Sequence, residues 1–120
     1  MHSVLAVDDS ASIRSLVNYV LEQAGFDVIL AEDGQEALDY AQDNTVDLVL
    51  TDINMPNLDG IGLIKELRAL PHYEYVPLLV LTTEGGTDKK MEGKAAGATG
   101  WIVKPFDPVQ LVATIEKVLA

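Results

Sequence analysis

The sequence predicts an α/β protein: a doubly wound (βα)5 arrangement, with five parallel strands in one sheet and helices on either side. Three observations carry this reading. Short apolar runs alternate along the chain with segments whose apolar residues recur at helical spacing. The apolar runs hold few polar interruptions, as expected of strands buried on both faces and therefore of a parallel sheet covered by helices. The length of 120 residues with 48% hydrophobic composition suits a single domain with a real core, and no linker, repeat or composition break divides it. One unit spanning residues 1–120, without an output domain, is expected.

The elements follow in order. Ser3 to Val7 reads as the first strand. Ile13, Leu16, Val17, Val20 and Leu21 then form an i, i+3, i+4, i+7, i+8 stripe, a helix that ends at Gly25. Asp27 to Ala31 is the second strand. Gln35 to Asp43 is a helix buried through Ala37, Leu38 and Ala41. Val46 to Thr51 is the third strand, stopping at Asp52. Ile61 to Leu70 is the third helix. Val76 to Thr82 ("VPLLVLT") is the fourth strand, and Asp88 to Ala96 a weaker helix loosened by Gly93. "GWIVK" (Gly100 to Lys104) is a short fifth strand. Pro108 to Leu119 closes the chain as a helix with Val109, Leu111, Val112, Ile115, Val118 and Leu119 apolar.

Composition excludes several function classes. Nineteen acids against eight Lys and Arg give a net charge of −11. Binding to nucleic-acid phosphates needs the opposite balance, and an anionic membrane surface would repel this chain. No apolar run approaches the roughly 18 residues of a membrane span, and no secretory pattern opens the sequence. Cysteine is absent, which removes disulfides and thiolate metal sites. A cytoplasmic location is expected. Lys89, Lys90 and Lys94 read as a solvated helix face; Lys104 does not.

In doubly wound sheets the site lies at the carboxyl ends of the strands. Here the first strand ends in Asp8 and Asp9, the third in Asp52, the fourth in Thr82 and Thr83, and the fifth in Lys104 and Pro105. Three carboxylates, a hydroxyl and an ammonium would therefore share one cleft. Two unit charges ~4 Å apart interact by ~4 kcal/mol at a surface-like dielectric. Three crowded carboxylates need a cation, or some must stay protonated. An all-oxygen donor set with open positions suits Mg2+, with Mn2+ as the alternative. One Asp at such a place is more often a helix cap than a ligand. A second Asp beside it and a third on the neighbouring strand make capping an incomplete account.

The same acids argue against a bare phosphate or nucleotide. A strand-to-helix turn that binds phosphate offers backbone N–H groups, usually from glycines. Two carboxylates occupy that turn here, and there is neither a G-x-x-x-x-G-K-[ST] loop nor a convincing G-x-G-x-x-G.

Four stretches together resemble a known family. They are "VDDS" (Val7 to Ser10), "TDINMPNLDG" (Thr51 to Gly60), "LTTEGG" (Leu81 to Gly86) and "GWIVKPF" (Gly100 to Phe106). In this order and spacing, across essentially the whole chain, they resemble response-regulator receiver domains of the stand-alone CheY type, which act in chemotaxis. The resemblance implies a flavodoxin-like sheet with strand order 2-1-3-4-5. It implies that Asp52 accepts a phosphoryl group from a phosphohistidine on a histidine kinase, giving an aspartyl phosphate. Asp8 and Asp9 would hold Mg2+, Asp9 directly and Asp8 through water, with Asp52 and the backbone carbonyl of Asn54 supplying further oxygens. Thr82 would bond a phosphoryl oxygen, Lys104 would pair with the acid or phosphoryl, and the Lys104–Pro105 peptide bond would be cis. Asn54 and Glu84 occupy the positions that tune phosphoryl lifetime in the family. Trp101 stands at the aromatic switch position, usually Tyr or Phe, and its larger ring limits how far it can turn inward. Otherwise it reads as an aromatic packed on the last helix.

The chemistry suits those residue types. Phosphoryl transfer needs an in-line nucleophile and positive charge on the equatorial oxygens. Asp52 is the nucleophile; Mg2+ and Lys104 bring the charge. The expected consequence is a shift in the loop Thr83–Thr87 and the helix after it, which alters the surface of the fourth helix, fifth strand and fifth helix. That shift would change affinity for a protein target such as a flagellar motor switch protein, with a phosphatase as a further partner. Such a chain accepts phosphate without being a turnover enzyme. Pro56 to Gly60 and Gly85–Gly86 read as ordinary turns, Asp59 as a cap or an ordering residue of its turn, His2 as a surface residue near the terminus and His72 as a loop residue beside Pro71. A haloacid-dehalogenase-like phosphatase would need a second Asp where Asn54 stands. A flavodoxin-like electron carrier conflicts with the acidic first turn. A phosphate sink or phosphorelay adaptor without direct output stays open.

Overall fold

The computed structural model describes residues 2–83 and 87–120, and the backbone alone at 87–89. Five strands alternate with five helices: β1 (Ser3–Val7), α1 (Ala11–Gln23), β2 (Asp27–Ala31), α2 (Gly34–Asp43), β3 (Leu48–Asp52), α3 (Gly60–Arg68), β4 (Leu78–Thr82), α4 (Thr87–Ala96), β5 (Gly100–Val103) and α5 (Pro108–Leu119). A short 3-10 turn, Pro71–Tyr73, stands between α3 and β4. All strand pairings are parallel, and the order is β2-β1-β3-β4-β5, as the resemblance implies. No helix among the described residues is long and apolar enough to cross a membrane.

Alternation along each strand divides the core into two layers. Leu5, Val7, Val49, Leu78 and Val80 point toward α2, α3 and α4, where they meet Ala37, Leu38, Leu63, Ile64 and Leu67. Val4, Ala6, Leu48, Leu50, Leu79 and Leu81 point the other way, onto Val17, Val20 and Leu21 of α1 and Leu111 and Ile115 of α5. The three central strands are buried on both faces. The edge strands β2 and β5 are only partly so, with Leu30 and Val103 exposed.

Local chemistry fixes the boundaries. Ser10 caps α1 by accepting from the Ile13 amide, Asp33 caps α2, Asp59 caps α3 and Asp107 caps α5. The cap expected of Asp59 is thus present. Gly25 follows α1 with φ +94°, a left-handed conformation open to glycine. Strands β3 and β4 begin two residues later than the apolar runs suggest. Val46 is buried without joining the ladder, and Pro77 has no N–H to give, though its carbonyl accepts from Val49. The turn at Pro71–Tyr73 was not expected. It buries Tyr73 completely and sends its hydroxyl to the Asn44 carbonyl at 2.6 Å.

Candidate functional site

Parallel strands of matched length end together, and their last residues form one cleft. Asp8 follows β1, Asp52 ends β3, Thr82 ends β4 and Lys104 follows β5. One carboxylate oxygen from each of Asp8, Asp9 and Asp52 lies within 4.8 Å of the other two. Asp8 is buried and Asp9 exposed, with Asp52 between them in exposure. The expected convergence is therefore observed.

Each acid is held differently. Asp8 Oδ1 accepts from the Ser10 amide at 2.9 Å, and Oδ2 accepts from Lys104 Nζ at 2.9 Å. Asp52 Oδ1 accepts from the Ile53 amide at 2.8 Å, while Oδ2 lies 3.5 Å from Lys104 Nζ. Asp9, on the turn between β1 and α1, faces solvent. Lys104 is itself largely buried, its side chain 13% exposed, so its ammonium is committed to these acids rather than to water. The cis Lys104–Pro105 bond follows directly, and the Lys104 amide donates to the Thr82 carbonyl at 2.7 Å, which ties the ends of β4 and β5.

The charge in the cleft does not balance. Three carboxylates against one ammonium leave two negative charges. The strain shows at Asp52, whose pKa is raised by burial first and by the Asp8 carboxylate second, against a smaller opposing pull from Lys104 and the Ile53 amide. A hard divalent cation matches this donor set in charge and in ligand type. Asp9, exposed to solvent and grouped with Asp8 and Asp52, is placed to bind such an ion.

Of the other expected residues, Thr82 is buried at the end of β4, and Thr83 after it and Asn54 after β3 are exposed beside the cleft. Glu84 lies outside the described residues. Trp101 is not in the cleft. It sits on β5 beside Val80, half-buried in the layer under α3 and α4 rather than packed on α5, with Lys90 Nζ 5.3 Å from its ring centroid. The lysine face expected to be wholly solvated thus gives one of its members to the ring.

Two residues escaped the sequence reading. Arg14 Nη1 donates to the Asp8 carbonyl at 2.7 Å, fixing the end of β1, and its Nη2 stands 3.8 Å from Glu32. A cation in the first turn of a helix opposes the helix dipole, and that was the available signal. Gly60 is buried behind Asp52: its amide donates to the Ile53 carbonyl at 2.8 Å, and a Cβ there would run into the Asp52 backbone carbonyl. The "PNLDG" turn is therefore more than a turn, because its glycine lets α3 approach the end of β3. Asn57, at φ +69°, joins the same loop to α2 through Asp33 at 2.8 Å.

Comparison with known proteins agrees with this geometry. Residues 4–116 match the family model described as response regulator receiver domain. A chemotaxis protein CheY homolog of Campylobacter jejuni is 41% identical over 118 residues, 97% of this chain and 91% of the relative. The solved structure of Vibrio cholerae chemotaxis protein CheY4 superposes with a TM-score of 0.95 at 49% identity, covering 98% of both chains. The receiver domain of the sensor histidine kinase PA1611 from Pseudomonas aeruginosa superposes at 0.92 with 26% identity, covering 98% of this chain and 97% of that one. It was solved with a magnesium ion coordinated in its active-site cleft.

Proposed function

This chain belongs to the response-regulator receiver family, and from that premise we propose that Asp52 accepts a phosphoryl group from a histidine kinase and that the aspartyl phosphate alters affinity for a protein target. The observation that carries the proposal is the Asp8–Asp9–Asp52 cluster with a single buried lysine across it.

Asp52 is oriented by the Ile53 amide on Oδ1, which leaves Oδ2 to attack phosphorus. The new O–P bond forms as the P–N bond to the donor imidazole breaks, and the bonding pair stays with the ring nitrogen, which takes up a proton. A bound Mg2+, held by Asp8, Asp9, Asp52 and the Asn54 carbonyl, would supply charge to the phosphoryl oxygens. Lys104 stands between Asp8 and Asp52 and pairs with the negative charge that the product adds. Thr82, at the neighbouring strand end, offers a hydroxyl to a phosphoryl oxygen. Its movement, with that of Thr83 and the loop after it, would reach α4 and β5. The burial of Asp8 and Lys104 limits water at the reacting atoms. The protein is consumed once per transfer and restored by hydrolysis, so it is a phosphate acceptor rather than a turnover enzyme.

The similarity to chemotaxis proteins supports a target in that system, a flagellar motor switch protein first. The test uses acetyl phosphate and Mg2+ with intact-mass readout. One phosphoryl group per chain is expected, with none gained when EDTA is present from the start and none in Asp52→Asn. The phosphorylated form, and not the unmodified one, should then bind the motor switch protein. Equal binding by both forms would contradict the proposed output.

A further inference from the structure

Helix α4 is lightly attached along its length. Its sequence, TDKKMEGKAA, offers the core little apolar surface, and among its described side chains only Ala96, with Gly93, is buried; Met91 is 64% exposed. The carboxyl end is pinned. Arg68 Nε donates to the Gly97 carbonyl at 3.0 Å while its Nη1 holds the carbonyls of Tyr73 and Val76 at 2.7 and 2.8 Å. Nearer the amino end, the Lys90 ammonium lies 5.3 Å from the Trp101 ring centroid. That distance lies within the range of a cation–π contact, and an indole face gives the strongest such contact of the aromatic side chains.

We propose that Lys90 is a positioning residue for Trp101: its ammonium holds the ring against α4, so that ring orientation and helix position change together. The proposal rests on the receiver reading only for its phosphorylation arm. Lys90 lies over the Trp101 ring, and the ring packs against the layer under α3 and α4. When α4 pivots about its Arg68–Gly97 anchor, the ammonium leaves and the ring loses its outer restraint. Lys90 is thereby a part of the switch, although it touches neither the acids nor a phosphoryl group.

Trp101 is the only tryptophan in the chain, so its emission reports on the contact directly. Fluorescence lifetimes and acrylamide quenching would be measured for the wild type, Lys90→Met and Lys90→Arg, each before and after acetyl phosphate with Mg2+. Intact mass follows phosphorylation separately, and circular dichroism confirms the fold. Before phosphorylation, Lys90→Met should shift the ratio of ring positions, read as lifetime amplitudes, by about two- to fivefold, while Lys90→Arg keeps the wild-type ratio. After phosphorylation, the wild type should approach the Met variant, which gains the same mass but changes little further. Wild-type lifetimes in Lys90→Met, equal changes in the Met and Arg variants, or a full phosphorylation response in Lys90→Met would each overturn the proposal. A wild type that gains no mass would contradict the receiver reading instead, and the resting comparison would still decide the role of Lys90.

Discussion

Lys104 Nζ lies 2.9 Å from Asp8 Oδ2 and 3.5 Å from Asp52 Oδ2, so the lysine is bound first to the buried acid and only second to Asp52, the proposed phosphoacceptor. Asp52 keeps an oxygen that is less tightly paired, and the pocket keeps its cation in reserve beside it. Lys104→Met would remove the one positive charge and strand the Asp8 carboxylate. Breaking a buried pair in this way costs about 3–5 kcal/mol. Urea unfolding in EDTA should show a loss toward the lower end of that range, since Asp9 opens the cleft to water. A loss under half a kcal/mol would mean that the lysine is not committed to Asp8.

Asp52 provides a pH test with a definite sign. Its pKa in the fold is raised, because burial and Asp8 disfavour the ionised form. The stability it contributes is present below its ordinary value of 3.8 and is lost as pH rises through the higher folded value. Without metal, ionised Asp52 therefore destabilises the fold at neutral pH. Asp52→Asn should raise the melting temperature at pH 7 in EDTA by about 2–5 °C, and the difference should close as the buffer approaches the ordinary carboxylate value. Calorimetry across that span checks it; a variant that melts lower than the wild type at pH 7 contradicts it.

Metal should relieve the same repulsion. At a Mg2+ concentration 100 times its dissociation constant, the fold gains about 2.7 kcal/mol. Asp9 is exposed and serves the fold little, so Asp9→Asn should leave metal-free stability within about 0.5 kcal/mol while removing most of the Mg2+ gain. Thermal melts with and without Mg2+ separate the two effects.

Gly60 and Gly25 make a matched pair. A methyl group at Gly60 would collide with the Asp52 carbonyl and the Ile53 Cα, whereas at Gly25 it meets nothing within 4 Å. Gly60→Ala should cost about 1–3 kcal/mol by overpacking and also slow phosphorylation, because the strain falls on the end of β3. Gly25→Ala, strained by φ +94°, should cost about 1 kcal/mol and leave the phosphorylation rate unchanged. Stopped-flow tryptophan emission or time-resolved mass measurement gives the rates.

The alternation of apolar runs and helical stripes made the five strands and five helices legible, because each element carries its own period. The site was legible because strand ends are sequence positions: Asp8, Asp9, Asp52, Thr82 and Lys104 could be placed together from topology alone. What the residues did not reveal depends on approach between distant segments. Gly60 looks like a turn glycine until α3 is seen against β3. Arg14 and Arg68 satisfy backbone carbonyls, and a carbonyl leaves no mark in the sequence. Trp101 allowed two readings, the switch position or packing on the last helix, and strand parity in β5 turns it toward α4.

The central claim is that the Asp52 carboxylate becomes an acyl phosphate in a metal-balanced pocket. Its most direct test is chemical trapping: phosphorylate with acetyl phosphate and Mg2+, reduce with borohydride, digest and sequence the peptides by mass. Acyl phosphates are reduced to alcohols where free carboxylates are not, so the account predicts homoserine at position 52 alone, and none when Mg2+ is withheld. Homoserine at position 8 or 9, or unreduced Asp52 in a protein that has gained a phosphoryl group, would contradict it.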